Sequence, residues 1–327
     1  MKLLAADIGG TKVRLALATP RAAGFDLAAI ETYPSTAYPT LDGLIRHYLD
    51  KQGARVDAAG LAVPGPVTNG TATLTNLPWT VASGELATAL GLDSVSLLND
   101  LEGLAWSISL LTENSLETLQ SGEPGIPGNR ALIAAGTGLG QALLVRSGED
   151  YLPTATEGGH CDFAPADDFD YDFHRYLGEH WEHVSWERVL SGPGLAAIYR
   201  FLLHREKIAL PTWFAGLAKA EQPAAVSHRA LAGDDALATE AMRVFVIYYG
   251  REAGNLGLKV KATGGVYIGG GVAPKIMSAL RQPAFIGAFN AKGRMRALMT
   301  SMPVRVILDD SAALIGIARY AQRALAT

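Results

Sequence analysis

Three glycine turns hold residue types that could do chemistry. They are Asp7-Ile8-Gly9-Gly10-Thr11, Gly136-Thr137-Gly138-Leu139-Gly140 and Gly269-Gly270-Gly271. Glycine removes the side chain that would keep a ligand off the backbone. Bare N–H groups in a tight turn can then point at phosphate oxygens. A plain hairpin with turn-forming glycines would explain the first stretch as well. The recurrence of the pattern at Gly136 to Gly140 favours the phosphate reading for both turns. The triple glycine forms a flat backbone platform, against which a flat heterocycle such as adenine could lie.

Polar residues that could grip a second molecule lie elsewhere in the chain. Asn99-Asp100 follows a strand and opens a helix. Asn99 is a good N-cap, Glu102 three residues on completes a capping-box pattern, and an acid in the first turn suits the helix dipole. Asp100 equally stands at the carboxyl end of a strand, where open α/β sheets place their ligands. The sequence leaves both open. Glu157 and His160 flank a Gly-Gly bend and can converge on one ligand; one Glu and one His are too few for a dedicated zinc site. Glu187 is either a dipole-friendly acid in a short helix or a further ligand contact. The loops Pro64-Gly65-Pro66-Val67 and Asn76-Leu77-Pro78-Trp79 suit plain connections or a sugar pocket. The acidic, aromatic stretch from Phe163 to Tyr176 reads as a solvated loop or helix edge, because it lacks the spacing of a calcium loop.

The elements that position these residues follow from periodicity. Leu3 to Ala6 is an apolar strand, and Val13, Leu15 and Leu17 alternate with polar or small residues in a returning one. Phe25 to Thr32 could supply a third strand. Thr40 to Leu49 has helix spacing, and Ala58 to Val63 and Val95 to Leu98 are short strands. A helix is expected from Leu101 to about Leu111. Glu113 to Arg130, rich in Gly and Pro from Ser121 to Gly128, is the best candidate boundary. Beyond it, Ala131 to Ala135 and Gln141 to Val145 repeat the strand-turn-strand opening. Val184 to Leu190 reads as a short helix capped by Ser185 and broken at Ser191-Gly192-Pro193-Gly194. Helices follow at Leu195 to His204 and from Asp234 to about Lys261. On the second of these, Gly250, Gly254 and Gly257 suggest close packing. A last strand, Val304 to Leu308, precedes a helix from Ala312 to Leu325. Ala312, Ala313, Gly316 and Ala318 make that helix thin enough to cross closely over another.

Composition excludes several classes of function. A chain of 327 residues can bury a large core and should hold about two domains. A net charge of −4 gives no bulk attraction to nucleic acid or an anionic membrane. Cys161 is the single cysteine, so no disulfide framework forms within the chain, and a reducing cytoplasm fits. The N-terminal residues lack a signal-peptide pattern, and no apolar run reaches the length of about 18 residues that marks a membrane span.

Taken in order, these motifs resemble the bacterial glucokinase family of the actin–hexokinase superfamily. The resemblance rests on the three glycine turns, Pro64-Gly65-Pro66-Val67, Asn99-Asp100, Glu157-Gly158-Gly159-His160 and Glu187-Arg188-Val189-Leu190-Ser191-Gly192-Pro193-Gly194. It covers nearly the whole chain. Any one motif is weak, whereas the ordered set is specific. Lys12 stands where many relatives carry Asn. A single Cys161 after His160 favours the zinc-free branch, and a chain that opens on a sheet strand disfavours the DNA-binding repressors.

The resemblance implies an α/β fold of two ribonuclease-H-like domains around a central cleft. The smaller would span 1–110, completed by 303–327, and the larger 111–302. It implies a glucokinase that uses ATP and Mg²⁺ to phosphorylate glucose at the 6-hydroxyl, working as a cytoplasmic homodimer without nucleic-acid or membrane partners. Asp100 would be the catalytic base. Asn99, Gly138, Glu157, His160 and Glu187 would bind the sugar. Ala6, Asp7, Ile8, Gly9, Gly10, Thr11, Gly136, Thr137, Gly138, Gly270 and Gly271 would hold the nucleotide, with Asp7 also holding the metal through water. A kinase for another hexose or an N-acyl amino sugar, or a non-catalytic sugar sensor, are the alternatives.

Overall fold

The computed structural model describes residues 1–74, 79–123 and 125–325. It divides into two units. Unit 1 comprises Met1–Ser115, Leu152–Ala155 and Asp309–Thr327, and unit 2 comprises Leu116–Tyr151 and Thr156–Leu308.

In unit 1, β1 (Leu3–Ile8) is apolar nearly throughout because both its faces are covered. It pairs antiparallel with β2 (Lys12–Pro20), which pairs with β3 (Phe25–Pro34). On its other side β1 runs parallel to β4 (Ala58–Val63), and β4 parallel to β7 (Ser94–Asn99), giving the order β3-β2-β1-β4-β7. A separate ribbon joins β5 (Thr71–Thr73) and β6 (Thr80–Ala82). Leu4, Ala6 and Ile8 form a core with Leu41, Leu44, Ile45 and Tyr48 of α1 (Leu41–Gln52) and Leu86 of α2 (Ser83–Leu90). Thr40 caps α1 by accepting from the Gly43 N–H. The opposite face, with Leu3, Ala5, Ala58, Ala62 and Leu98, packs against Leu314, Ile317 and Ala318 of the C-terminal helix Ala312–Ala324. That helix also crosses α3 (Asp100–Ser107) at Gly316 and Gly103. A Cβ on Gly316 would collide with the Gly103 carbonyl oxygen, so the thin side expected from the sequence is used inside unit 1.

The second sheet, which belongs to unit 2 apart from Leu152–Ala155 of its edge strand, joins β8 (Leu116–Gln120), β9 (Arg130–Ala135), β10 (Leu139–Ser147), β11 (Asp150–Thr156), β12 (Val266–Gly269) and β13 (Val304–Ile307) in the order β11-β10-β9-β12-β13-β8. One face buries Ala131, Ile133, Val266, Ile268, Val304 and Val306 against a large, aromatic-rich core. The helices that complete this core include α4 (Asp168–Gly178), α5 (Trp186–Val189), α6 (Gly192–Arg205), α7 (Thr212–Ala215), α8 (Gln222–Ala232) and α9 (Ala236–Val260). The shorter α10 (Met277–Leu280), α11 (Pro283–Asn290) and α12 (Arg296–Ser301) follow β12. Gly250 and Gly254 of α9 let the backbone carbonyls of Phe285 and Phe289 on α11 approach, which is the close packing that the glycines suggested. The C-terminal helix is α13.

Several boundaries depart from expectation. The chain returns to unit 1 at Asp309 rather than at 303, because β13 is hydrogen-bonded between β12 and β8 and so belongs to the unit 2 sheet. The α3 helix stops at Ser107, short of Leu111. Ser191, not Ser185, makes a capping bond: its Oγ accepts from the Gly194 N–H, so Gly192-Pro193-Gly194, which follows the end of α5 as expected, also opens α6. Proline suits the first turn because its missing N–H would have no helical partner there. The stretch expected to be solvated contains α4, whose Asp170 is buried and accepts from Tyr248 Oη and the Arg251 guanidinium. Asn76-Leu77-Pro78 and Pro124 lie outside the described residues, whereas Trp79 is buried and donates to the Pro39 carbonyl.

Candidate active site

Unit 1 gathers its candidate residues at the carboxyl ends of neighbouring strands. Asp7 is the last residue but one of β1, Val63 ends β4, and Asn99 ends β7, all three strands running parallel. Asn99 makes the first turn of α3 as a cap, its Oδ1 accepting from the Leu101 N–H at 2.9 Å. Its amide also donates to the Gly65 carbonyl at 3.1 Å, tying the Pro64-Gly65-Pro66 turn to the start of α3. Glu102 completes the capping box by accepting from the Asn99 N–H. Asp100 is exposed and accepts from the Leu101 N–H at 2.8 Å.

Asp7 and Asp100 are electrically coupled. Burial pushes the Asp7 carboxyl above the usual carboxylate range, the charge of Asp100 pushes it further, and Arg14 opposes both. Arg14 sits opposite Asp7 in the β1–β2 register and donates to the Asp310 carbonyl at 2.6 Å. The turn after Asp7 is tight: the Gly9 N–H donates to the Lys12 carbonyl at 2.8 Å. Ser35 locks it by donating from Oγ to the Gly9 carbonyl at 2.8 Å and from N–H to the Thr11 carbonyl at 3.0 Å. Gly9 has no positive φ, so what glycine supplies there is the absence of a side chain. Gly10 and Thr11 donate their N–H groups to no described acceptor.

Unit 2 stitches its own candidates together. Gly136 donates to the Gly138 carbonyl and accepts from the Gly192 N–H at the start of α6, both at 2.8 Å. The Glu187 carboxylate accepts from the Leu139 N–H at 3.1 Å and fills the space that a Cβ on Gly138 would need. The α5 helix that bears Glu187 is joined to the residue after His160 by the Trp186 N–H donating to the Cys161 carbonyl at 2.9 Å. Glu157 and His160 bracket a 3₁₀ turn, with carboxylate and imidazole 3.7 Å apart and both side chains exposed. Gly270, at φ +82°, directly follows β12, and a Cβ there would lie 2.6 Å from the Ala135 carbonyl, so this position requires glycine.

Three supporting residues gave no sequence signal. Ser35 is one. Tyr249 is another: its buried Oη donates to the Gly269 carbonyl at 3.3 Å and accepts from the Ala135 N–H at 3.1 Å, joining the strand ends that precede the second and third glycine turns. The third is buried Glu252, which accepts from Gln141 Nε2 at 2.8 Å and from Asn255 Nδ2 at 2.8 Å. Gln141 lies directly under Gly158, where a Cβ would strike its amide oxygen. Each is distant in sequence from the motif it braces, and only the tertiary fold reveals the pairing.

Asp7 and Asp100 together form a hard-oxygen pair whose excess negative charge a dication would relieve. Among the described residues no group of three or more His, Cys, Asp or Glu gathers as a metal cage. Mg²⁺ does not need one, since it is usually held by one or two carboxylates together with substrate phosphates and water. No described helix is long and apolar enough to cross a membrane.

Two α/β units of this kind, with glycine turns at strand ends, are the architecture of the actin–hexokinase fold. The same fold is seen in a ROK family glucokinase from Streptomyces griseus solved with glucose and AMPPNP (TM-score 0.66, 20% identity, 99% of this chain and 100% of that one). The sequence pattern of the Glucokinase family matches residues 4–324, and the chain belongs to that family. It is 39% identical to the glucokinase of Nostoc sp. over 98% of this chain and 99% of the relative. It superposes with a TM-score of 0.87, at 32% identity, on the glucokinase of an Antarctic psychrotroph, covering 98% and 99% of the two chains.

Proposed function

We propose that the protein is an ATP-dependent glucokinase that transfers the γ-phosphate of ATP to the 6-hydroxyl of glucose, giving glucose 6-phosphate and ADP. The observation that bears most weight is Asp100: exposed at the carboxyl end of β7, held by the first turn of α3, and close enough to Asp7 to shift its proton affinity. Membership of the Glucokinase family supports the same reading.

A sugar primary hydroxyl is a weak nucleophile. In this reading Asp100 accepts its proton as the oxygen attacks the γ-phosphate. Asn99, Glu157, His160 and Glu187 fix the ring through its other hydroxyls, which removes orientational freedom before the chemical step. An epimer would leave one of these polar groups unpaired, so the same residues discriminate between hexoses. Backbone N–H groups of Gly10, Thr11, Thr137 and Gly138 face the phosphates, and Gly270 and Gly271 take the adenosine side. Asp7 would hold Mg²⁺ through water, and the ion would supply neutralisation of the phosphate charge. Exclusion of water during transfer would prevent wasteful hydrolysis. The reading extends to a homodimer in the cytoplasm.

Asp100→Asn tests the assignment while preserving shape. Turnover of glucose, followed by ADP release, is expected to fall about a hundred- to ten-thousand-fold, with the KM for glucose within about threefold of the parent value. If turnover drops only in step with the folded fraction, Asp100 is an ordinary first-turn acid and the mechanism is wrong. Faster turnover of N-acetylmannosamine than of glucose by the parent enzyme would overturn the substrate assignment.

A further inference from the structure

The turn between Glu157 and His160 rests on a buried polar chain. Two of its glycines mark how closely it lies on β10. A Cβ on Gly159 would strike the Leu139 carbonyl, and one on Gly158 would strike the Gln141 amide oxygen. The Gly158 N–H donates to Thr156 Oγ1 at 3.2 Å, and that hydroxyl donates to the Gln141 carbonyl at 3.1 Å. Buried Gln141 is therefore the floor of the turn through both its backbone and its side chain.

The group that fixes the Gln141 amide lies on α9. Gln141 Nε2 donates to Glu252 Oε1 at 2.8 Å, so the amide oxygen is the atom that faces Gly158. The other carboxylate oxygen of Glu252 accepts from Asn255 Nδ2 at 2.8 Å. Asn255 is oriented in turn, because its Oδ1 accepts from Lys292 Nζ at 2.6 Å. The same ammonium donates to the Arg251 carbonyl at 2.9 Å, and Gly254 leaves room for the Lys292 stem to pass. Donor meets acceptor at every link from Lys292 to Gln141. Glu252 is fully buried, and burial pushes its carboxyl above the usual range. The bonds from Asn255 and Gln141 and the charges of Lys259 and Lys292 oppose that push. Packing alone would be served as well by apolar side chains of the same volume. An acceptor placed between two amides does what packing cannot, since it selects one orientation for each of them.

We propose that Glu252 is a positioning residue for sugar recognition, a role that rests on the glucokinase reading of Glu157 and His160 as sugar contacts. Through Gln141 it sets how the Glu157-Gly158-Gly159-His160 turn sits, and so where that carboxylate and imidazole stand. The test is steady-state kinetics, with glucose varied at saturating ATP and ATP varied at saturating glucose. Glu252→Gln keeps the shape but turns an NH₂ group toward one of the two amide donors. Lys292 pins Asn255, so Gln141 gives way and presents its own NH₂ group to Gly158. The KM for glucose should rise about tenfold, with the KM for ATP within about twofold of the parent value. Gln141→Glu combined with Glu252→Gln restores the match: the amide at 252 accepts from Asn255 and donates to position 141, where an oxygen again faces Gly158. That double variant should return the glucose KM to within about threefold of the parent. Should Glu252→Gln fail to fold, Gln141→Met, which removes the amide at similar length, must still raise the glucose KM selectively. Folded single variants with the parent's glucose KM, equal rises in both KM values, or a folded double variant no better than Glu252→Gln each overturn the proposal. Any of these outcomes beside a parent enzyme that turns over glucose leaves the glucokinase reading standing. A parent that does not turn over glucose overturns that reading, and the role of Glu252 with it.

Discussion

Asp7 is pulled in two directions, and the balance yields a prediction at the scale of one residue. Burial and the neighbouring Asp100 raise its pKa, while Arg14 lowers it. The folded chain therefore holds the Asp7 proton more tightly than the unfolded chain does. The stability contributed by that tighter hold is fully present below the ordinary carboxylate pKa and is lost as pH rises through the raised folded value. Asp7→Asn removes the loss, so it should raise Tm by about 2–4 °C at about pH 8 and leave it nearly unchanged at about pH 5. The same variant should turn over more slowly, because the carboxylate proposed to hold Mg²⁺ is gone. Strain retained at a functional site and released by mutation would produce that pairing of gained stability and lost rate. Thermal melts at the two pH values decide it: a variant less stable at the higher pH would show that Arg14, not burial, dominates the environment of Asp7.

Elements fit one another here through the absence of side chains, and identical substitutions at two glycines should act in opposite directions. Gly316 of α13 touches the α3 backbone at Gly103 and Ser107, so Gly316→Ala forces two helices apart and should cost about 2–3 kcal/mol. Gly84 of α2 has open space around its would-be Cβ and helical backbone, so Gly84→Ala should add about 0.5 kcal/mol. Denaturant midpoints of the two variants against the parent would measure both, and a loss of similar size at both sites would refute the packing argument. This contrast also marks how much the sequence discloses. The small residues of α13 and the glycines of α9 are legible as close-packing faces, because a helix puts every third or fourth residue on one side. The glycine-turn hairpins are legible because alternation and turn residues coincide. Asp170 is not: its acidic neighbours resemble a solvated face, and the partners that bury it, Tyr248 and Arg251, lie about eighty residues away in sequence. Ser35 and Tyr249 escape notice for the same reason, since each braces a turn far from it along the chain. Ser191 escapes because a Gly-Pro-Gly run looks like a break until the serine is seen capping α6.

At the scale of the whole molecule, the order of the chain and the membership of the units part company. Unit 1 is built from the first 115 residues yet takes one wall of its core from α13. Leu314, Ile317 and Ala318 are fully buried against Leu3, Ala5, Ala58, Ala62 and Leu98. Unit 2 keeps its own core around α6 and α9, with no α13 residue in it. A lesion in α13 should therefore weaken unit 1 selectively. Ile317→Asp places an uncompensated charge in that wall, at a cost of about 4 kcal/mol or more, which is a large share of the stability of a typical domain. Proteins open in cooperative segments, and hydrogen exchange reads the stability of each. In Ile317→Asp, amides of β1 and β4 should lose protection by several orders of magnitude, while those of β9 and β12 keep most of theirs. Equal loss in all four strands would mean that the chain opens as one block and that the two cores do not stand independently. Protection unchanged in β1 and β4 would mean that α13 covers the sheet without supporting it.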